Sequence, residues 1–301
     1  MKQLTIIIPT YKRHLLLKQC LHSLIAAKPK KFSLEILVLD DESSRTTKNT
    51  IKQLRKSCPY LHYYPAAHLG PGLARNIGLE KAKGEFIVFL DDDCLVPSDW
   101  FIVLEKIMKK NHSSAAGGSI SNPTNSYIAW SAHLLNFSEW LPSRKHGMSN
   151  NMPSTNALYR SAILKGATFV DRAPEEGYGD SLFNHQLREQ GHIIWFYPEL
   201  KVAHLAWENN KALKIFFEKQ KKAAKGFVNE GFMVHGFAGK ALRQIPLLNL
   251  LCPRLLFVFL RCARYGELLR FLWCFPLMLA GEFYRGLIII KTSVSANSRH
   301  I

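Results

Sequence analysis

No two of the six cysteines (Cys20, Cys58, Cys94, Cys252, Cys262 and Cys274) stand as a Cys-x-x-Cys pair, so neither a zinc site nor a redox motif is indicated. A reducing compartment is the simpler setting for such scattered thiols. The N-terminus lacks a signal-peptide core: the apolar run from Leu4 to Ile8 is short, ends at Pro9 and reads as a first buried strand. Internal repeats and low-complexity tracts are absent. Carboxylates are the scarce charge, with 23 Asp and Glu against 40 Lys and Arg, a net charge of +17 and a pI near 9.7. That surplus points to an anionic partner: nucleic acid, a membrane surface or a phosphorylated substrate.

The 301 residues suffice for one large or two modest domains, and an apolar fraction of 47% argues against extensive disorder. Apolar patterning predicts strands over 4–8, 34–39, 60–64 and 86–90, with helices over 15–27, 48–56 and 72–83 between them. This alternation predicts a doubly wound, mainly parallel α/β sheet with helices on both faces, a Rossmann-like nucleotide-binding half-fold. Further strands are expected over 115–120, 156–159 and 193–197, with an extended stretch over 201–205. A short helix is expected over 160–165 and a longer one over 180–190, closed by Gly191. Residues 143–154, rich in Ser, Asn, Gly and basic side chains, read as a mobile surface loop. Residues 1–210 are therefore read as one domain with halves 1–100 and 101–210, followed by a helical, amphipathic region over 211–301.

Within the first domain, Asp91, Asp92 and Asp93 follow directly on the apolar run Phe86-Ile87-Val88-Phe89-Leu90. A buried strand delivers all three carboxylates to its C-terminal end, the edge at which open α/β sheets bind ligands. No Lys or Arg follows closely to neutralise them, and a bound divalent cation is the simplest physical explanation. A turn or cap needs only one Asp, and Ser98 and Asp99 are placed to cap the next helix. Asp40 and Asp41 end the second strand, and Glu175, Glu176 and Asp180 surround the start of a later helix. Such a lining accepts a nucleotide diphosphate only if a metal inverts the local charge, which makes cation and nucleotide one hypothesis.

The order and spacing of several short stretches make the chain resemble the family 2 glycosyltransferases, with the GT-A fold. They are Ile6-Ile7-Ile8-Pro9-Thr10-Tyr11-Lys12-Arg13, Val38-Leu39-Asp40-Asp41-Glu42-Ser43, Gly72-Leu73-Ala74-Arg75-Asn76, the triple aspartate with its strand, and Gly179-Asp180 opening a helix. The resemblance implies that Pro9, Thr10 and Tyr11, with Arg13, form the turn around the nucleotide, and that Asp41 accepts a hydrogen bond from a uracil-like base. It places Arg75 near the base or diphosphate, Asp91 or Asp92 on the ribose, and Asp93 on a Mn²⁺ or Mg²⁺ that bridges the diphosphate. His204 matches a histidine facing that metal or diphosphate. Asp180 is implied as the general base for a single, inverting displacement at the anomeric carbon. Three positions depart from the family pattern: Lys12 in the turn, Gly179 where a glutamate is common and Gln186 where an arginine is frequent. Trp130, Trp140, Tyr127 and Tyr178 are candidates for stacking on sugar rings, although such residues more often pack helices.

Residues 211–301 carry about 15 Lys and Arg against about 4 Asp and Glu, so most of the positive surplus lies there, amid the densest apolar sequence. Arg254, Arg261, Arg264, Arg270, Glu282 and Arg285 interrupt these stretches. The longest uncharged run among them, Phe271 to Gly281, falls short of the ~20 residues of a spanning helix. Interfacial helices on an anionic leaflet are the expectation, with a nucleotide-sugar donor, a glycan or lipid-linked acceptor, and a peripheral, cytoplasmic-face enzyme of cell-surface polysaccharide or glycolipid synthesis. A non-catalytic nucleotide-sugar-binding relative would be expected to lack the base, and Asp180 is present. A nucleotidyltransferase would carry a Gly-rich loop after the first strand, and Pro9 to Arg13 has no glycine. Nucleic acid is not an expected partner, because the basic residues alternate with long apolar stretches instead of exposed aromatics.

Overall fold

The computed structural model describes residues 3–27, 33–66, 68–110, 114–169, 179–205, 211–230 and 245–297. Glu175, Glu176 and Tyr178 lie outside these. In chain order the described strands are β1 (Gln3–Thr10), β2 (Ser33–Asp40), β3 (Leu61–Pro65), β4 (Phe86–Leu90), β5 (Cys94–Leu95), β6 (Ala115–Ser121), β7 (Gly147–Ser149), β8 (Asn156–Arg160) and β9 (Ile194–His204). The helices are α1 (His14–Ala27), α2 (Arg45–Leu54), α3 (Pro71–Lys81), α4 (Trp100–Met108), α5 (Tyr127–Phe137), α6 (Gly179–Glu189), α7 (Ala212–Glu230), α8 (Pro253–Arg264) and α9 (Leu268–Asn297). The described residues form two compact units: one drawn from 1–121, 144–174 and 179–205, the other from 122–143 and 206–301.

In the first unit the near-continuous Ile, Leu and Val runs of β1, β2 and β4 are buried along almost their whole length, as expected of strands covered on both faces. They pair in the order β3-β2-β1-β4, all parallel, so that β1 and β2 end side by side with Thr10 opposite Asp40. Beyond β4 the sheet continues as β8-β6-β9-β5. β8 runs antiparallel to β4 with Asn156 opposite Leu90, so β8 begins where β4 ends. β8, together with β5 and β7, runs against the other six strands, which makes the sheet mainly rather than wholly parallel.

The extended segment around 194–204 is one strand, not two. Pro198 is accommodated because β9 shifts register against β6 between Gly118 and Ser119, and Ser119 Oγ donates to the Pro198 carbonyl. The stretch 143–154 is also more ordered than its composition suggests. It contains β7, which pairs with β9, and it buries Met152 and Ser154. Its composition hides two tertiary causes: Gly117 leaves room for the Met152 side chain, and Asn184 on α6 donates to both Asn151 Oδ1 and the Met152 carbonyl. Arg160 to Lys165 forms a 3₁₀ turn over Ser161–Leu164. Asp99 occupies the N-cap position of α4 but makes no side-chain capping bond, whereas Ser44 caps α2, which begins three residues before the expected helix start.

The second unit is helical, with a core built from Trp130 and Leu134 of α5, Phe216 of α7, Val258 and Cys262 of α8, and Cys274 and Met278 of α9. Trp130 and Tyr127 are therefore packing residues of this unit: Trp130 Nε1 donates to the Thr124 carbonyl, and the Tyr127 hydroxyl accepts from the Leu277 amide. By length and composition alone, Pro246–Arg264 and Leu268–Val294 reach the size of a membrane-crossing segment, although Cys252, at φ 49°, separates the 3₁₀ turn Pro246–Leu251 from α8 in the first. All six cysteines are buried, and none is in a disulfide.

Gly118 sets a testable limit on the sheet. A β-carbon there would stand 1.7 Å from the Leu200 carbonyl oxygen and 2.2 Å from Asn156 Nδ2, so backbone, not only a flexible side chain, must yield. Gly118→Ala is expected to lower stability by roughly 1 to 3 kcal/mol, the usual cost of overpacking, read as a fall in the denaturant midpoint.

Candidate active site

The carboxyl ends of β1, β2 and β4, the start of β8, the end of β9 and the first turn of α6 supply the candidate site, all within the first unit. Asp91, Asp92 and Asp93 emerge from β4 together, and cations that are remote in sequence meet them. Arg13 Nη1 lies 2.8 Å from Asp93 Oδ2 and 3.3 Å from Asp92 Oδ1. Arg75, buried on α3, places Nη2 2.7 Å from Asp91 Oδ1. The apparent lack of a neutralising cation was a feature of sequence neighbours only. Thr10 Oγ1 donates to Asp92 Oδ2 at 2.6 Å, which the one-to-one ending of β1 and β2 beside β4 makes possible. Burial foremost, with repulsion from Asp93, pushes the Asp92 carboxyl up, against the pull of Arg13 and the Thr10 hydrogen bond.

β9 brings His204 to the same place. His204 pairs with Cys94 across the β5–β9 ladder, the Leu205 amide donates to the Asp93 carbonyl, and His204 Nε2 lies 3.3 Å from Asp93 Oδ1. A carboxylate and an imidazole so close offer a hard oxygen donor and a nitrogen donor side by side. Among the described residues no group of three or more His, Cys, Asp or Glu side chains is arranged to hold a metal. Two protein donors nonetheless fit Mn²⁺ or Mg²⁺, which characteristically take only one or two protein ligands and fill the rest of the shell with phosphate oxygens and water. The imidazole suits Mn²⁺ better of the two.

Asp180, the implied base, stands in the first turn of α6, half-buried. Burial raises its carboxyl above the ordinary carboxylate range, while Arg75 and the Ser154 hydrogen bond oppose the rise. The Ser154 amide donates to Asp180 Oδ2 at 3.0 Å, and the next residue, Thr155, donates from Oγ1 to Asp91 Oδ2 at 2.8 Å. Asn184, one turn beyond Asp180, accepts from the Tyr159 hydroxyl and donates to the Asp180 and Met152 carbonyls. Ser154, Thr155 and Asn184 were missed in the sequence. The only signal for them was that a strand at 156–159 beside β4 would have to begin at the triple aspartate.

The remaining candidates sit at the β1–β2 edge. Asp41 is buried and accepts from the Leu69 and Gly70 amides at 2.7 and 2.9 Å, one on each oxygen; each oxygen retains a second lone pair. Asp40 is fully buried and accepts from the Glu42 and Ser44 amides and the Tyr63 hydroxyl, so it holds the turn into α2. Pro9 is buried at the end of β1, and Tyr11 is exposed, edge-on to His68. Lys12 adopts φ 56°, a left-handed conformation that asparagine tolerates better than lysine, which gives the departure at this position a physical cost. Gln186, at the other departure, clamps Thr168 through its amide and carbonyl. Cys20 and Cys94 lie close beneath the triple aspartate, and burial pushes both thiols well up, away from the reactive thiolate.

Comparison with known proteins extends this picture. The chain is 29% identical over 208 residues to the succinoglycan biosynthesis protein ExoM of Rhizobium meliloti, covering 68% of this chain and 67% of that one. It is 39% identical over 95 residues to the GalNAc(5)-diNAcBac-PP-undecaprenol beta-1,3-glucosyltransferase of Campylobacter jejuni, covering 31% of this chain and 30% of that enzyme. The match thus spans less than a third of the Campylobacter relative. Among solved structures, the mannosyltransferase PcManGT of Pyrobaculum calidifontis, in complex with GDP-Man and Mn²⁺, superposes with a TM-score of 0.64 at 16% identity, over 96% of this chain and 87% of that one. At that identity the likeness establishes the fold, GT-A, alone. The model of the family described as glycosyl transferase family 2 matches residues 5–166, more than half of the 301 residues, and the chain belongs to that family.

Proposed function

We propose that the protein transfers a sugar from a nucleotide-sugar donor, UDP-linked, to an acceptor hydroxyl in a divalent-cation-dependent, inverting displacement. The observation that carries this reading is the pair of consecutive residues that join two carboxylates: Ser154 holds Asp180, and Thr155 holds Asp91. A base and a donor-binding carboxylate tethered to adjacent backbone positions keep a fixed spacing, which is what an in-line attack requires.

Asp180 takes the proton of the acceptor hydroxyl as its oxygen attacks the anomeric carbon, and the bond from that carbon to the diphosphate oxygen breaks with inversion. Its raised proton affinity makes it a better base near neutrality than an ordinary carboxylate. Asp93 and His204 would hold the cation, whose contribution when bound is to offset the negative charge of the departing nucleoside diphosphate. Asp91 takes the ribose, because it is the less buried of the first two aspartates, with its side chain 25% exposed against 5% for Asp92. Asp92, hydrogen-bonded by Thr10 and paired with Arg13, fixes the turn Pro9-Thr10-Tyr11 over the nucleotide. Asp41 faces the base edge with its remaining lone pairs, and Arg75, held by Asp91, stays near the diphosphate.

The acceptor is a glycan or a lipid-linked sugar, and the enzyme works peripherally at the cytoplasmic face of a membrane, in cell-surface polysaccharide or glycolipid synthesis. The exposed apolar helices of the second unit and the undecaprenol in the name of the Campylobacter relative both favour this location.

Asp93→Ala is expected to abolish Mn²⁺-dependent binding of a nucleoside diphosphate in calorimetry, since one of the two donors is lost. Undiminished metal-dependent affinity would refute the ligand assignment. Asp180→Asn keeps the shape and removes the proton acceptor, so donor affinity should persist while transfer falls by roughly 10²-fold or more. The pH profile supplies an independent check. The base must be ionised, and its proton affinity is raised, so wild-type kcat should decline as pH falls through a value above the ordinary carboxylate range. A limb at an ordinary carboxylate pH, or one that survives in Asp180→Asn, would assign the base elsewhere.

A further inference from the structure

Every exposed position of α9 between Leu268 and Leu287 is apolar: Leu268, Leu269, Leu272, Trp273, Phe275, Pro276, Leu279, Ala280, Phe283 and Leu287. The charges in the same stretch are turned inward and paired. Glu282 is 1% exposed and lies between Arg254, at 3.0 Å, and Arg285, at 3.2 Å. Arg270 stacks on Trp130, 3.6 Å from the ring centroid, and pairs with Glu267. α8 repeats the pattern, with Leu256, Phe257, Phe259 and Leu260 exposed and Arg261 paired with Glu139 at 2.7 Å. The charges lie on the packed side of the helices, fully buried only at Glu282, and the opposite side carries hydrocarbon. Only 39% of the most apolar part of Leu268–Val294 and 28% of that of Pro246–Arg264 is buried, so most of each faces outward.

We propose that the outward faces of α8 and α9 enter the acyl layer of one leaflet and hold the protein there as a monotopic membrane protein. This rests on the membrane location proposed above and specifies the interaction that produces it. Twenty residues of helix present a stripe about 30 Å long, whereas monomeric soluble proteins rarely expose apolar patches beyond roughly a few hundred Å². A protein partner would be met by a polar rim and hydrogen-bonding groups within the interface. Along the middle of this face the exposed positions of α9 are all apolar, and the polar groups gather towards its ends, where the exposed cations Arg264 and Lys291 match the charge of a phospholipid headgroup layer.

The geometry also separates insertion from electrostatic adsorption. Gly281 receives Phe216 of α7, since a β-carbon there would stand 2.6 Å from that ring. At 100° per residue, Gly281 is on the opposite side of α9 from Leu272, Leu279 and Phe283. The lysines of α7 therefore do not share a surface with the apolar stripe.

Flotation of the full-length protein on phosphatidylcholine vesicles, which carry no net charge, in 1 M NaCl tests the proposal. Binding is expected, and is expected to survive Lys221→Gln/Lys222→Gln/Lys225→Gln. Leu272→Gln/Leu279→Gln/Phe283→Gln should lower the partition coefficient by roughly 10²-fold or more, because three inserted side chains are lost. A second readout does not depend on that variant folding. With all six native cysteines buried, Leu279→Cys labelled with an environment-sensitive fluorophore should shift to the blue on adding vesicles. Flotation only on anionic vesicles at low salt, with no blue shift, would overturn insertion and leave the membrane location standing. Failure to float on either would overturn both. A lipid-free dimer in sedimentation that the triple glutamine variant dissociates would overturn insertion by assigning the face to a second copy.

Discussion

Three carboxylates on consecutive residues at the end of a buried strand repel one another, and the catalytic unit can keep them only by bringing charge and hydrogen-bond donors from elsewhere. The end of β1 contributes Thr10 and the loop after it Arg13, α3 contributes Arg75, the residue before β8 is Thr155, and the end of β9 contributes His204. Each partner arrives because its strand or helix terminates at the same sheet edge. The topology that makes that edge is therefore also what stabilises the aspartates. Removing the antiparallel strand β8 from beside β4 would separate Thr155 from Asp91 and Ser154 from Asp180 in a single step.

The same edge sorts the acidic residues by task. Asp40 and Asp41 spend acceptor capacity on backbone amides of the turns that follow β2 and precede α3, which is the commonest use of a strand-end aspartate. Asp91, Asp92 and Asp93 are met by side chains instead, and side chains can be displaced by a ligand where a backbone turn cannot. A cleft that looks strongly acidic in the sequence is thus partly neutralised, two arginines meeting the three consecutive aspartates. Its charge is held as exchangeable ion pairs, chiefly at Arg13, whose side chain is 45% exposed.

The parallel β3-β2-β1-β4 half was legible because its strands are apolar runs ended by aspartate or proline and separated by helical spacing. The position of the candidate residues at those ends, from Thr10 to Asp93, was legible for the same reason. What composition concealed lay in tertiary contacts. Residues 143–154 look polar and mobile, yet Gly117 and Asn184 secure them, and those residues stand about 30 positions to either side. Pro198 suggested a break between two short strands, and only the register shift opposite Gly118 shows why one strand can pass through it. The partner cations of the aspartates were invisible for the simplest reason: Arg13 and Arg75 precede them by 80 and 16 residues.

The helical unit teaches the complementary lesson about charge. A charge tally along α9 treats Arg270, Glu282 and Arg285 as interruptions of an apolar helix, and hence as reasons against a spanning segment. Position around the helix adds what the tally leaves out. Glu267 and Arg270, like Glu282 and Arg285, are three residues apart and of opposite sign, so each pair occupies one small sector as a nearly neutral polar cluster. Both clusters fall on the side packed within the unit, where Arg254 completes one by bonding the Leu135 carbonyl and Glu282 together. The opposite side is left with hydrocarbon alone. Inward ion pairs cost desolvation energy that a buried apolar pair would not. Their retention here is understandable if the outward face has no water in which charges could be placed.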